Sequence, residues 1–280
     1  MSTRFGISTH LYHDQQLSRD HLAAIASYGF EAVEVFATRS HFDYHDEASI
    51  DHLGEWLKDT GLALHGIHAP ITDRLMPGDK WGAVISNAVS DSTKRQAAVR
   101  EAEAALNIAR RIGADVFVVH LGTPTAQGGE NSRSAAFRSV DEICRLAEPI
   151  GVRVAVELIP NPLSDAQSLV TLLDRDLDAP GTGICFDFGH AFLMGDVSDE
   201  IETVAEHVIT THVHDNHRKR DDHLVPFEGG IDWDAALMSM QKIGYDGTYM
   251  MEIANTGSAA DILERARRAR DKFEKLLTAY

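Results

Sequence analysis

The sequence predicts an α/β protein, a single (β/α)8 TIM barrel over residues 1–280 with a parallel eight-stranded core. Three observations carry this expectation. Short apolar, β-rich runs alternate with helical stretches along the whole chain, as parallel strands joined by crossover helices require. Eight such runs occur in 280 residues, a length that accommodates the roughly 250 of a typical closed barrel. Side chains able to bind metal recur at or just past the ends of the runs, where such a barrel assembles its active site.

In chain order the expected strands are Phe5 to His10, Ala32 to Ala37, Leu62 to Ala69, Val116 to Gly122, Arg153 to Ile159, Thr182 to Phe188, Ile209 to His214 and Thr248 to Ala254. Runs such as VFVVHLG and RVAVELI are nearly continuous in apolar residues, as befits strands covered on both faces. Between them, His21 to Ala26 and Thr93 to Ile112 carry apolar residues at helical spacing. Several helical stretches stop at a glycine, as in Tyr28-Gly29, Thr60-Gly61, Ile112-Gly113, Ile150-Gly151 and Ile243-Gly244, where a left-handed cap is expected. No Gly-rich dinucleotide loop follows the first strand, which favours a closed barrel over an open doubly wound sheet. The longest connection, about Ile71 to Ser92, contains Pro77, Gly78, Trp81 and Gly82 and reads either as a cover over the barrel mouth or as a structural excursion.

With 44% hydrophobic and 25% charged residues, the chain can bury a sizeable core without disulfides. Cys144 and Cys185 fall in an expected helix and an expected strand, outside any C-x-x-C spacing, and read as buried free thiols of a cytoplasmic protein. The N-terminus lacks a secretory pattern, and no apolar run approaches the ~20 residues of a membrane span. A formal charge of −17 disfavours nonspecific attraction to nucleic acid without excluding it, and the basic stretches His217 to Arg220 and Arg265 to Arg270 read as solvated faces.

The candidate chemistry lies in nine residues: His68, His120, Glu157, Asp187, His190, His212, Asp221, His223 and Glu252. Asp187-Phe188-Gly189-His190 puts a carboxylate at a strand end and an imidazole three residues on, with glycine easing the turn; a hydrogen-bonded structural pair is the alternative. Such ligands suit Zn, Mn, Fe or Co better than Ca or Mg. Period-two geometry puts His212 and His214 on one face, so either one is the potential ligand, and Asp221-x-His223 follows in a polar loop. Glu157 and Glu252 are carboxylates inside apolar strands, and each needs a cation, a metal or a shared proton as partner. His10, Glu34, His214 and Trp81 are further candidates for the substrate pocket, with structural contacts as the alternative. Phe36, Trp81 and Phe227 offer either pocket walls or core packing.

These motifs, above all Asp187-Phe188-Gly189-His190, His212-Val213-His214-Asp215-Asn216 with Asp221-Asp222-His223, and Glu252, resemble the xylose isomerase-like TIM barrels over nearly the whole chain. That group includes sugar and sugar-phosphate isomerases and epimerases and the family 2 apurinic endonucleases. Likeness to the epimerase branch implies one metal held by Glu157, Asp187, His212 and Glu252, with His190 near the substrate and the two glutamates exchanging a proton through a metal-stabilised enediolate. Likeness to endonuclease IV implies up to three metals on all nine positions and a phosphoester hydrolase. Two departures count against DNA as substrate: Leu158 stands where that branch commonly has asparagine, and no segment matches its DNA-penetrating loops.

The resulting expectation is a divalent-metal-dependent enzyme (Zn, Mn, Fe, Co or Mg; one ion, up to three) acting on a small polyhydroxylated or phosphorylated carbohydrate. Isomerisation or epimerisation stands first. Multinuclear phosphoester hydrolysis and a dehydratase or lyase reaction are the alternatives, and homo-oligomeric assembly is left open.

Overall fold

β-Branched and other apolar residues build eight parallel strands: β1 (Arg4–Ser8), β2 (Ala32–Phe36), β3 (Ala63–His68), β4 (Val116–Val119), β5 (Arg153–Glu157), β6 (Gly183–Asp187), β7 (Val208–Val213) and β8 (Thr248–Met251). The structure is a computed structural model describing residues 4–76, 80–123, 131–177 and 179–279. Each strand pairs with its sequence neighbours, and β1 pairs with β8, so the sheet closes and leaves no edge.

The helices are α1 (Arg19–Ser27), α2 (Glu47–Thr60), α3 (Ser92–Ile112), α4 (Arg133–Ala147), α5 (Ala166–Thr171), α6 (Phe188–Met194), α7 (Val197–Thr203), α8 (Trp233–Lys242) and α9 (Ala259–Ala279). Most begin at an aspartate or serine whose side chain accepts amides of the first turn, as Asp91 does from Thr93 and Lys94. Among the described residues, no helix is long and apolar enough to cross a membrane.

Several apolar runs outlast their strands. Leu121, Leu158, Ile159 and Ile253 are buried although they lie beyond the ladder, so their apolar character reports packing at the barrel mouth rather than strand pairing. β1 stops at Ser8, and Thr9–Tyr12 turn as a 3-10 helix that carries His10 inward. All five expected glycine stops have positive φ, and Gly61 (φ 73°, ψ 12°) is a left-handed cap. Gly113 departs from that expectation, because ψ 148° sends the chain directly into the next extended segment.

The long connection after β3 contains a short antiparallel hairpin, with Leu75 opposite Trp81 and Met76 opposite Lys80; Pro77 and Gly78 lie outside the described residues. Farther along, Asn87 Nδ2 donates to the His120 carbonyl, tying the connection to the end of β4. The inner face of the barrel changes character along its length. Val116, Val118, Ala155 and Cys185 form an apolar plug, and the mouth beyond it is filled with histidines and carboxylates.

One buried histidine supports the end of the β1–β2 pair. The Phe36 amide donates to Thr9 Oγ1 (2.9 Å), which lies 3.0 Å from His41 Nε2, while His41 Nδ1 donates to the Gln15 carbonyl. A carbonyl only accepts, so the neutral ring has Nδ1 protonated and receives the Thr9 hydroxyl at Nε2. Burial lowers the His41 pKa from 6.5 to about 4. Between those values the unfolded chain takes up a proton that the folded chain refuses, so stability is fully present above pH 6.5 and falls with acid by up to about 3 kcal/mol. Denaturant titrations at pH 7 and pH 4.5 should show a smaller acid loss for His41→Gln than for the native protein. Equal losses would rule out His41 as a source of the acid sensitivity.

Candidate metal centre

The parallel topology delivers the strand ends to one mouth, and Glu157 at the end of β5 is its centre. Its Oε2 lies 3.0 Å from His120 Nε2 and 3.2 Å from His68 Nε2, and its Oε1 lies 3.2 Å from His212 Nδ1. Glu252, just past β8, brings Oε2 to 3.5 Å from the same His212 nitrogen. Asp187 ends β6, accepts the His190 amide as N-cap of α6 and lies 3.0 Å from His214 Nε2. Farther out, Asp221 Oδ2 lies 3.0 Å from His190 Nε2 and 3.1 Å from His223 Nε2.

All nine sequence-predicted ligands therefore converge. With His214 they gather in sets whose ligand atoms lie within 4.8 Å of one another: His68, His120 and Glu157; Glu157, Asp187, His212 and Glu252, which shares Glu157 with the first; and, separately, His190, His214, Asp221 and His223.

Backbone carbonyls orient the outer histidines. Nδ1 of His68 donates to Ala69 O (2.8 Å), that of His190 to Leu158 O (3.0 Å) and that of His223 to Glu252 O (2.9 Å), which turns each Nε2 toward a carboxylate. His212 is reversed. Its Nε2 lies 3.1 Å from both oxygens of Glu34, a buried carboxylate on β2, and its Nδ1 faces the centre. Of the two histidines left open by the sequence, His212 thus serves the central set, and His214 faces Asp187 and Asp221.

Charge follows the same geometry. Burial opposes ionisation throughout, but the facing carboxylates overcome it and raise His68, raise His190 well above the ordinary imidazole range and bring His223 to about 10, while the Cys185 sulfur and then Glu34 and Glu157 raise His212 well above that range. Conversely, despite burial, the facing histidines hold Glu157 well below its ordinary value and lower Asp187 and Asp221. For His10, burial, with His223 nearby, outweighs the Asp221 carboxylate and drives the pKa well below the usual value.

The central set fits a divalent cation. Glu157 Oε1 and His212 Nδ1 are buried without a hydrogen-bond partner among the described residues, an arrangement that proteins ordinarily avoid. Three carboxylates and one imidazole converging there form a donor set suited to Zn, Mn, Fe or Co.

Several contributions were illegible in the sequence or left open there. Glu34 does not line an open pocket; it is fully buried and holds His212. Gly66 leaves room for it, since a Cβ there would stand 2.9 Å from Glu34 Oε2. Gly189 lies within α6 and acts through space rather than by easing a turn: a Cβ would stand 2.0 Å from His214 Cε1. Asp215 accepts the Asn216, Phe227 and Ile231 amides and Trp233 Nε1, anchoring the loop that carries Asp221 and His223. Phe227 packs against Trp233 and Phe273 in the core. At the mouth, the His10 ring lies 5.0 Å from Phe36, 5.0 Å from His223 and 4.5 Å from His13; Trp81, 43% exposed, lies 6.3 Å from His13.

Comparison with known proteins agrees with this architecture. The chain is 24% identical to an inosose isomerase of Bacillus licheniformis over 76% of its own length and 79% of the relative's. A crystal structure of a D-tagatose 3-epimerase-like protein superposes with a TM-score of 0.82 at 23% identity, covering 99% of both chains. The IOLI protein, solved with a binding zinc atom, gives a TM-score of 0.76 at 18% identity, again over 99% of both chains. The xylose isomerase-like TIM barrel family profile matches residues 22–277, and the chain belongs to that family.

Proposed function

We propose that the protein is a divalent-metal-dependent isomerase or epimerase of a small polyhydroxylated carbohydrate, free or phosphorylated. The observation that carries this reading is the pair Glu157 and Glu252, which approach one nitrogen, His212 Nδ1, from strands β5 and β8 at 3.2 and 3.5 Å. The names of the relatives, an inosose isomerase and a D-tagatose 3-epimerase-like protein, support the same reaction class.

Glu157, Asp187, His212 and Glu252 would hold the cation. When bound, it supplies positive charge against two neighbouring substrate oxygens as negative charge develops on them. One of the two glutamates removes the proton from the carbon next to the carbonyl, and the other returns a proton at the same carbon or its neighbour. Glu34 keeps His212 Nε2 occupied, so that Nδ1 remains directed at the centre. His190, His223 and His10 line the mouth with polar groups for substrate hydroxyls, and Phe36 and Trp81 supply apolar walls. Leu121 and Leu158 pack beneath the rim and limit access of water from the sides.

A second reading, a multinuclear phosphoester hydrolase, is favoured by the two further donor sets beside the central one. Elemental analysis of protein purified without chelator separates the two. One ion per chain, with proton exchange into a ketose, is expected. Three ions, with cleavage of abasic duplex DNA that is lost in Asp221→Ala, would transfer the assignment to the hydrolase.

Glu252→Gln should reduce solvent-deuterium exchange at the carbon next to the carbonyl by about 100-fold or more, measured by NMR on a ketose panel. Absence of exchange by the native, metal-loaded protein across that panel would overturn the proposed reaction. Glu34→Ala should weaken cation binding by about 10- to 100-fold while the barrel remains folded, measured by competition with a chromophoric chelator. Native affinity in that variant would dismiss Glu34 as an orienting group.

A further inference from the structure

Beneath the central set, Glu157 and His212 face another donor. Cys185 stands on β6 two residues before Asp187 and pairs in register with Glu157 across the β5–β6 ladder. Strand alternation puts Cys185 and Asp187 on the same face, one residue pair deeper into the barrel. The cysteine is fully buried and packs with Val116, Val118 and Ala155 in the apolar plug. Even so, its sulfur, a Glu157 oxygen and a His212 nitrogen all lie within 4.8 Å of one another. Among the described residues, Glu157 Oε1 and His212 Nδ1 have no hydrogen-bond partner, and His212 Nε2 is committed to Glu34.

We propose that Glu157, Cys185 and His212 form a deeper cation position, selective for thiophilic divalent ions and alternative to the position among Glu157, Asp187, His212 and Glu252. This inference rests on reading the mouth as a metal centre. The two positions share Glu157 and His212, so an ion in one excludes an ion from the other. Binding at the deeper position breaks the Cys185 S–H bond; the sulfur keeps the electron pair and donates it to the cation, and the proton leaves to solvent. Thiolate prefers zinc and cadmium to magnesium and manganese, so softness of the ion decides which position fills. An ion drawn to the sulfur leaves Asp187 and Glu252 unengaged, and cadmium at this position inhibits rather than activates.

Cadmium titration of the whole chain, followed by ultraviolet absorbance and equilibrium dialysis, tests this directly. One equivalent of cadmium should produce a sulfur-to-cadmium charge-transfer band in the native protein. The band should persist in Cys144→Ser, which alters the other thiol, and in Asp187→Asn, which removes a charge from the shallower position and leaves the three deeper donors in place. It should vanish in both Cys185→Ser and Cys185→Ala, with circular dichroism reporting that each variant remains folded. Cadmium bound without the band, or a band retained when Cys185 is replaced, would overturn the deeper position while leaving the shallower one intact. Failure of the native protein to bind cadmium, manganese or zinc would overturn the metal centre itself, and this inference with it.

Discussion

A fully buried carboxylate surrounded by imidazoles is the constraint on which the rest of the site depends. Glu157 has no room to reach solvent, and burying an unpaired carboxylate costs several kcal/mol even after relaxation. The chain meets that cost with His68 and His120 on one oxygen and His212 on the other. Each of those rings is fixed or crowded in turn: His68 by the Ala69 carbonyl, His212 by Glu34, and His120 by edge-on contact with the His68 ring, 4.9 Å between centroids. Removing any one charge therefore changes the balance for the others. Glu157, His68 and His212 form one ionised unit, in which a cation and protons on these two histidines compete for the same lone pairs.

The barrel and the convergence of the nine candidate residues on its mouth were legible because both follow from local signals. Apolar runs mark strands, glycine stops mark the ends of helices, and parallel closure sends every strand's carboxyl end to the same mouth. Pairings across the barrel were not legible, because they depend on stagger between strands distant in sequence. Glu34 and His212 meet over a separation of 178 residues, and nothing beside either residue announces the other. The choice between His212 and His214 was open for the same reason: strand alternation puts both on one face but does not say which carboxylate each reaches. Asp187 and His190 were weighed as either metal ligands or a structural pair, and their geometry combines the two. Asp187 caps α6 through the His190 amide while also belonging to the central donor set.

The site is also graded in rigidity from floor to rim. At the floor, ligands stand on paired strands, where Asp187 is in register with His212 and Glu157 with Cys185. At the rim, Asp221 and His223 stand on a loop whose shape comes from Asp215, a fully buried acceptor of three amides and one indole N–H. Three non-glycine residues of that loop, Arg218, His223 and Phe227, have positive φ. Such conformations cost on the order of 1 kcal/mol each and persist only where surrounding contacts over-determine them. Here those contacts are identifiable: Asp215 takes the Phe227 amide, the Glu252 carbonyl takes His223 Nδ1, and Phe192 lies under the Arg218 guanidinium.

The contrast bears on the two chemistries. Glu157, Asp187, His212 and Glu252 stand at or just past strand ends, so their arrangement is set when the barrel closes. Engagement of Asp221 and His223 requires the loop as well, and Asp215 couples that loop to α8 through Trp233. The outer donors can therefore be lost or repurposed by changes confined to one loop, without disturbing Glu157, Asp187, His212 or Glu252. That separability allows a barrel of this design to gain or lose the outer donors while keeping the central set. The strand ends fix the central donor set, and the β7–α8 loop fixes Asp221 and His223 beside it.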